Sequence, residues 1–175
     1  MLKNNLIIFD IDDTLTKSET QHHTAYVNTM KNFGITKINQ DWKSYKNVTD
    51  SYILKENYEA NFNQNFEFSL IPEFEKKMLA LMLKLPKSKE IKGASTIVNF
   101  FMQQTDYAIC FATGSLLAPA LVKLQQAEIN FVPELVEASN SIYSREDIVK
   151  SAIKKAQKYF QISDFKNIIS VGDGI

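Results

Sequence analysis

Three short apolar runs, each closed by a small polar or acidic cluster, leave this chain few architectures. Leu6-Ile7-Ile8-Phe9 runs into Asp10-Ile11-Asp12-Asp13-Thr14, Tyr107 to Ala112 into Thr113-Gly114-Ser115, and Ile168-Ile169-Ser170-Val171 into Gly172-Asp173-Gly174. An unbroken apolar run suits a strand buried on both faces, the habit of parallel sheets covered by helices. Phe131 to Val136 offers a further short strand. In open parallel sheets, ligands bind beyond the carboxyl ends of the strands. The three clusters are therefore expected to meet at one edge of one sheet.

Between the runs the pattern turns helical. Ala94 to Gln104, after Gly93, carries apolar Ile97, Val98, Phe100, Phe101 and Met102 and reads as a crossover helix. Leu116 to Gln126 reads as another, with Pro119 tolerated in its first turn. A third opens at Ser144, an N-cap with Asp147 three residues on, and runs to about Phe160. The stretch from Lys17 to Lys89 differs. Aromatic and apolar residues from Tyr26 to Leu81 are scattered among polar ones, which predicts several amphipathic helices with their own core. Gly34 marks the end of the first of them, and Pro86 to Lys89 serves as a return linker. This block follows the first polar cluster directly, so it is expected above the sheet edge as a lid. The predicted organisation is an α/β core from residues 1–16 and 90–175, with a helical cap from 17–89.

Charge and composition narrow the function. Twenty basic residues balance twenty acidic ones, with no dense Lys/Arg stripe, so nucleic acid is not an expected partner. No apolar run approaches the ~20 residues that span a membrane, and the apolar stretch near the N-terminus is too short for a signal-peptide core. A cytoplasmic location is expected. The single cysteine, Cys110, lies inside an apolar run and reads as a small buried hydrophobe in a reducing compartment.

Asp10 and Asp12, two apart after a buried strand, face the same way if the backbone stays extended. Clustered carboxylates repel, and a hard divalent cation relieves them; helix capping by Asp or Thr is the other reading. Thr113-Gly114-Ser115 at a strand end entering a helix is either an anion cradle or a plain N-cap. Asp173 between two glycines is either a carboxylate with unhindered access to a metal or part of a tight turn. His22 and His23, early in the insertion, are either substrate contacts or exposed helix residues.

Taken in order (strand-DxDxT, helical insertion, strand-TGS, basic helix start, strand-GDG) these features resemble the haloacid dehalogenase-like hydrolase superfamily over nearly the whole chain. FDIDDTLT is similar to its first motif, FATGS to its second and SVGDG to the start of its fourth. The insertion point resembles that of phosphoglycolate-phosphatase-like and β-phosphoglucomutase-like members. The resemblance implies a Rossmann-like core and a magnesium-dependent phosphatase acting on a small phosphorylated metabolite. It implies Asp10 as nucleophile, Asp12 as general acid/base, and Thr113, Gly114 and Ser115 around the phosphoryl group. Mg²⁺ would be held by Asp10, the Asp12 carbonyl and Asp173. The second Asp argues against dehalogenation, since dehalogenases of the superfamily lack it. For the cationic third motif, Arg145 and Lys150 are the candidates, Arg145 being favoured because it follows the N-cap directly.

The resemblance also sets a departure. Family members continue beyond the fourth motif with a further acidic residue and more strand and helix, whereas this sequence stops at Ile175. On this reading the C-terminal end of the core is missing. Three rivals stand beside the phosphatase. One is a phosphomutase, one a truncated non-catalytic binding or regulatory protein, and one a phosphoacceptor domain, which the long insertion disfavours.

Overall fold

The computed structural model describes residues 3–173. Strand β1 (Asn5–Phe9) is followed by a tight loop and a two-residue strand, β2 (Thr16–Lys17). Helices α1 (Glu19–Asn32), α2 (Asp50–Phe62) and α3 (Ile71–Met82) come next. The chain returns through β3 (Lys89–Glu90), which pairs antiparallel with β2. The two crossings between the sheet and the helical insertion thus form one ribbon. Then α4 (Ala94–Gln104), β4 (Tyr107–Ala112), α5 (Leu117–Gln126), β5 (Val136–Glu137), α6 (Arg145–Phe160) and β6 (Ile168–Val171) follow.

The main sheet has the order β5-β4-β1-β6, and all its pairs are parallel. The period-2 alternation of a strand explains the unbroken apolar runs. Ile7, Phe9, Ile109 and Phe111 face one side and pack with Val98 of α4 and Ala120 and Leu124 of α5. Leu6, Ile8, Ala108 and Cys110 face the other and pack under Ile148, Ala152 and Ala156 of α6. The alanines one helical turn apart let α6 lie close on the sheet. Ser144 caps this helix as expected, its Oγ accepting from the Asp147 N–H at 3.1 Å.

Two expectations need correction. The Phe131–Val136 strand is reduced to β5, because Pro133 lacks an N–H for a ladder and opens a 3₁₀ turn over Pro133–Leu135. The third apolar run does form a strand, but it is not buried on both faces. β6 is the outer strand, bonded only to β1 among the described strands, and Ile168 and Ile169 are 46% and 42% exposed. Gly174 lies outside the described residues.

Helices α1–α3 enclose a second cluster in which Tyr26, Met30, Phe74 and Met78 are fully buried. Leu116, at the start of α5, belongs to the same cluster, so the insertion and the sheet layer share packing. Among the described residues no helix is long and apolar enough to cross a membrane.

Cys110 is sealed inside the sheet, and burial pushes its thiol up to about 12. Thiolate is the reactive form, and at pH 8 only about one molecule in 10⁴ would carry it. An aromatic disulfide reagent is therefore expected to label no thiol in the native protein and one per chain after denaturation. Rapid labelling of native protein would contradict the burial.

Candidate active site

The clusters gather at one sheet edge because β1, β4 and β6 run parallel and in register. Phe9 pairs with Phe111 on one side and Val171 on the other. Asp10, Thr113 and Asp173 thus leave neighbouring strand ends at nearly one level. Asp10 N donates to Val171 O at 2.9 Å, and a Cβ at Gly172 would stand 3.5 Å from that of Asp10. Thr14 Oγ1 reaches Asp173 Oδ1 at 3.5 Å, a long contact across the loop. Asp13, at φ 54°, turns the chain after Asp12.

Asp10 is largely buried. Its Oδ1 accepts from the Ile11 N–H at 2.8 Å and its Oδ2 from Arg145 Nη1 at 3.0 Å. Burial raises its carboxyl above the ordinary range, with the Arg145 charge opposing. Arg145 arrives from the first turn of α6, directly after the Ser144 cap. Lys150 instead pairs with Glu146 one turn away, at 2.5 Å on the exposed face of the helix. Of the two candidate cations, Arg145 is the one placed at the cluster.

Gly114 is where the close approach occurs. Its carbonyl accepts from Asp50 N at 2.8 Å. A Cβ there would meet Val48 O at 2.9 Å and Arg145 Nη2 at 3.2 Å. An Ala at 114 would push the insertion off the sheet edge. Arg145 Nε also donates to Val48 O at 3.3 Å, and Thr49 Oγ1 donates to Tyr143 O at 2.7 Å. The 48–51 segment is therefore docked onto the cluster. Thr113 Oγ1 accepts from Ser115 N at 3.0 Å, which leaves its own proton free to donate outward.

Asp12 does not stand free. Its carboxylate accepts from Ser115 Oγ at 2.7 Å and from Ser18 Oγ, and pairs with Lys123 Nζ at 2.7 Å. Burial alone would raise its carboxyl, but the Lys123 charge and these hydrogen bonds override it and hold the acid well below the usual range. The sequence reading missed Lys123, Ser18 and Asp50 altogether. It placed His22 at the substrate or on an exposed face, yet His22 is buried, bonded to Lys123 and to Asp50. His23 is half-buried against Trp42, with ring centroids 5.1 Å apart.

The oxygen donors suit a hard cation. Among the described residues no three His, Cys, Asp or Glu side chains converge to hold a metal. Two carboxylates, Asp10 and Asp173, follow the ends of the paired strands β1 and β6. Magnesium commonly takes one or two carboxylates and keeps waters, so this donor set fits it.

No family model matches the chain. No curated protein matches it either. Solved structures do. A hydrolase from Pseudomonas syringae superposes with a TM-score of 0.67 at 16% identity, over 97% of this chain and 76% of its own. A haloacid dehalogenase hydrolase of family IA, variant 3, from Entamoeba histolytica gives 0.61 at 18%, over 91% and 71%. The chain has the haloacid dehalogenase-like fold. CbbY from Rhodobacter sphaeroides, solved with phosphate, shares that fold with a TM-score of 0.60 at 13% identity, over 97% of this chain and 94% of its own.

Proposed function

We propose that this chain is a magnesium-dependent phosphatase that hydrolyses a small phosphomonoester through a phosphorylated Asp10. One observation carries the reading. A largely buried strand-end carboxylate faces a guanidinium at 3.0 Å, beside a Thr-Gly-Ser turn and a second strand-end carboxylate. That is a nucleophile next to a ready anion site.

The chemistry follows from the positions. Phosphoryl oxygens take the place of Asp10 on Arg145 and accept from the Thr113 hydroxyl and the Gly114 N–H. Asp12, ionised in the free site, takes a proton from the bound phosphomonoester and passes it to the ester oxygen as Asp10 attacks phosphorus and that oxygen leaves as an alcohol. In the second half Asp12 takes a proton from water as that water attacks the phosphorus of the aspartyl-phosphate, restoring Asp10 and releasing inorganic phosphate. Magnesium held by Asp10, Asp173 and the Asp12 carbonyl would offset the repulsion between carboxylate and phosphate. The docked insertion acts as the cap that excludes bulk water. A reduced Cys110 suits the cytoplasm.

The test is phosphate release from p-nitrophenyl phosphate and a panel of small phosphate esters, with Mg²⁺ and with EDTA. Metal-dependent release without a bisphosphate activator supports a phosphatase over a phosphomutase. No release under any condition would sink the reading. Within it, Arg145→Ala is expected to lower kcat/KM by on the order of 10²–10³-fold, the loss typical of one preorganised donor to developing charge. Lys150→Ala should change it less than about twofold, since an exposed helix pair contributes little. Equal effects at the two positions would contradict the assignment.

A further inference from the structure

An exposed lysine needs no partner, but two lysines set directly opposite one another call for a countercharge. Lys17 of β2 and Lys89 of β3 are cross-strand partners in the ribbon that joins the insertion to the sheet layer, and both are exposed. Directly opposed side chains share one face of a strand pair, and like charges there are destabilising. Lys87, also exposed, stands two residues before Lys89. Among the described residues none of the three forms an ion pair. Exposed Lys77 and Lys150, by contrast, each pair with a glutamate one turn away on their own helix. The acid nearest in sequence, Glu90, is taken at the head of α4, where it accepts from Gly93 N at 3.0 Å and Ser95 Oγ at 2.9 Å.

All three lysines line one cavity of about 720 Å³, walled by the ribbon, the return stretch and the first turns of α1. That volume lies in the range of small-molecule sites. Asp13 and Glu19 line it as well, with Thr20 and Gln21 beside them, and neither carboxylate pairs with a lysine. Three ammonium groups thus outnumber two carboxylates. Asp10, Thr113, Gly114 and Arg145 are all absent from the lining, so the cavity is distinct from the candidate active site.

We propose that this cavity is a second, non-catalytic site for a small organic phosphate with a hydroxylated body. The phosphate bridges Lys17 and Lys89, with Lys87 beside it, and supplies the countercharge the ribbon lacks. Asp13 and Glu19 repel a ligand that is anionic throughout, but their oxygens accept from hydroxyls, as does the Gln21 amide oxygen. The ligand is therefore anionic at one end and hydroxylated at the other. Because Lys17 and Lys89 sit on the two strands by which the chain enters and leaves the insertion, the bound phosphate also ties those strands together.

The test is isothermal titration calorimetry of the full chain with glucose 6-phosphate, in EDTA and at fixed ionic strength. It is run in the Arg145→Ala background, which weakens the candidate active site as a competing anion site. One saturable site is expected. Adding Lys17→Gln with Lys89→Gln should weaken it by about tenfold or more, since the charge-assisted contacts are lost. Adding Lys77→Gln instead should change it by less than about twofold, as for a remote exposed charge. Without ligand the Lys17→Gln, Lys89→Gln variant should melt no lower than its parent, because a like-charge pair has been removed. Should it fold poorly, Lys87→Gln, outside the paired strands, is read the same way, with a loss of about threefold or more. Inorganic phosphate should bind more weakly than glucose 6-phosphate. No saturable binding up to about 10 mM, an equal loss in Lys77→Gln, or equal affinity for inorganic phosphate would each overturn the proposal. None of these outcomes bears on phosphate release by the parent chain with Mg²⁺, which tests the phosphatase reading separately.

Discussion

Asp10→Asn is expected to lower phosphatase turnover by on the order of 10⁴-fold or more without lowering thermal stability. An amide is not a nucleophile toward phosphorus, so the covalent route is lost rather than slowed. Asn keeps the shape, and its carbonyl oxygen can still accept from Arg145 or from the Ile11 N–H. The stability half follows from the direction of the pKa shift. The folded state raises the Asp10 carboxyl, through burial, despite Arg145. Folding therefore favours the protonated acid. Its contribution to stability is present below the unfolded pKa of about 4 and is lost as pH rises through the folded value. At neutral pH in EDTA the ionised Asp10 is a burden that Asn removes, so the melting temperature should be equal or higher. The difference should shrink as pH falls below about 4. Acid-quenched mass spectrometry of wild-type protein with substrate should find the phosphoryl adduct on the peptide containing Asp10, and none in the variant. A variant retaining more than about 1% of turnover would leave Asp10 without the role of nucleophile.

The strand-end clusters were legible because each is local. A strand written Leu6-Ile7-Ile8-Phe9 can only end where its apolar run ends, and the parallel register then aligns Asp10 with Thr113 and Asp173. The Lys123 network was harder because it is assembled from three helices. A signal existed nonetheless. Lys123 falls on the buried stripe of α5 with Pro119, Ala120 and Leu124, and His22 on that of α1 with Ala25, Tyr26, Thr29 and Met30. A charged or titratable residue at an interior position of the 3.6 period needs a buried partner, and two of them on neighbouring elements can supply one another. Asp50 carried no such mark. At the head of α2 it looks like an ordinary first-turn acid, and only its docking against Gly114 and Leu116 shows otherwise. β6 failed for another reason. Its apolar run gives the strand but not what lies on its outer side, so burial there depends on neighbours that periodicity does not name.

Phe111→Ala should cost about 3–5 kcal/mol of folding free energy, a large share of the 5–15 kcal/mol that holds a typical domain. Phe111 is 1% exposed on β4, the strand between β1 and β5. Its backbone pairs with Phe9 and Val136, and its ring stands 6.5 Å from that of Phe9 in the cluster that holds Val98, Ala120 and Leu124. Truncation removes the ring near the carboxyl end of a central strand, where partners on both sides hold the backbone in register and limit collapse into the void. Phe100, on the outer face of α4 and 44% exposed, is the control, with an expected cost of less than about 1 kcal/mol. Urea titrations of the two variants beside the parent should show the difference as a lowered midpoint at constant slope. Thr113 lies two residues beyond Phe111, so phosphatase activity of Phe111→Ala is expected to follow its folded fraction along the titration. A cost below about 1 kcal/mol for Phe111→Ala would mean that this face of the sheet repacks freely, and that the alignment of Asp10 with Thr113 does not depend on its tight packing.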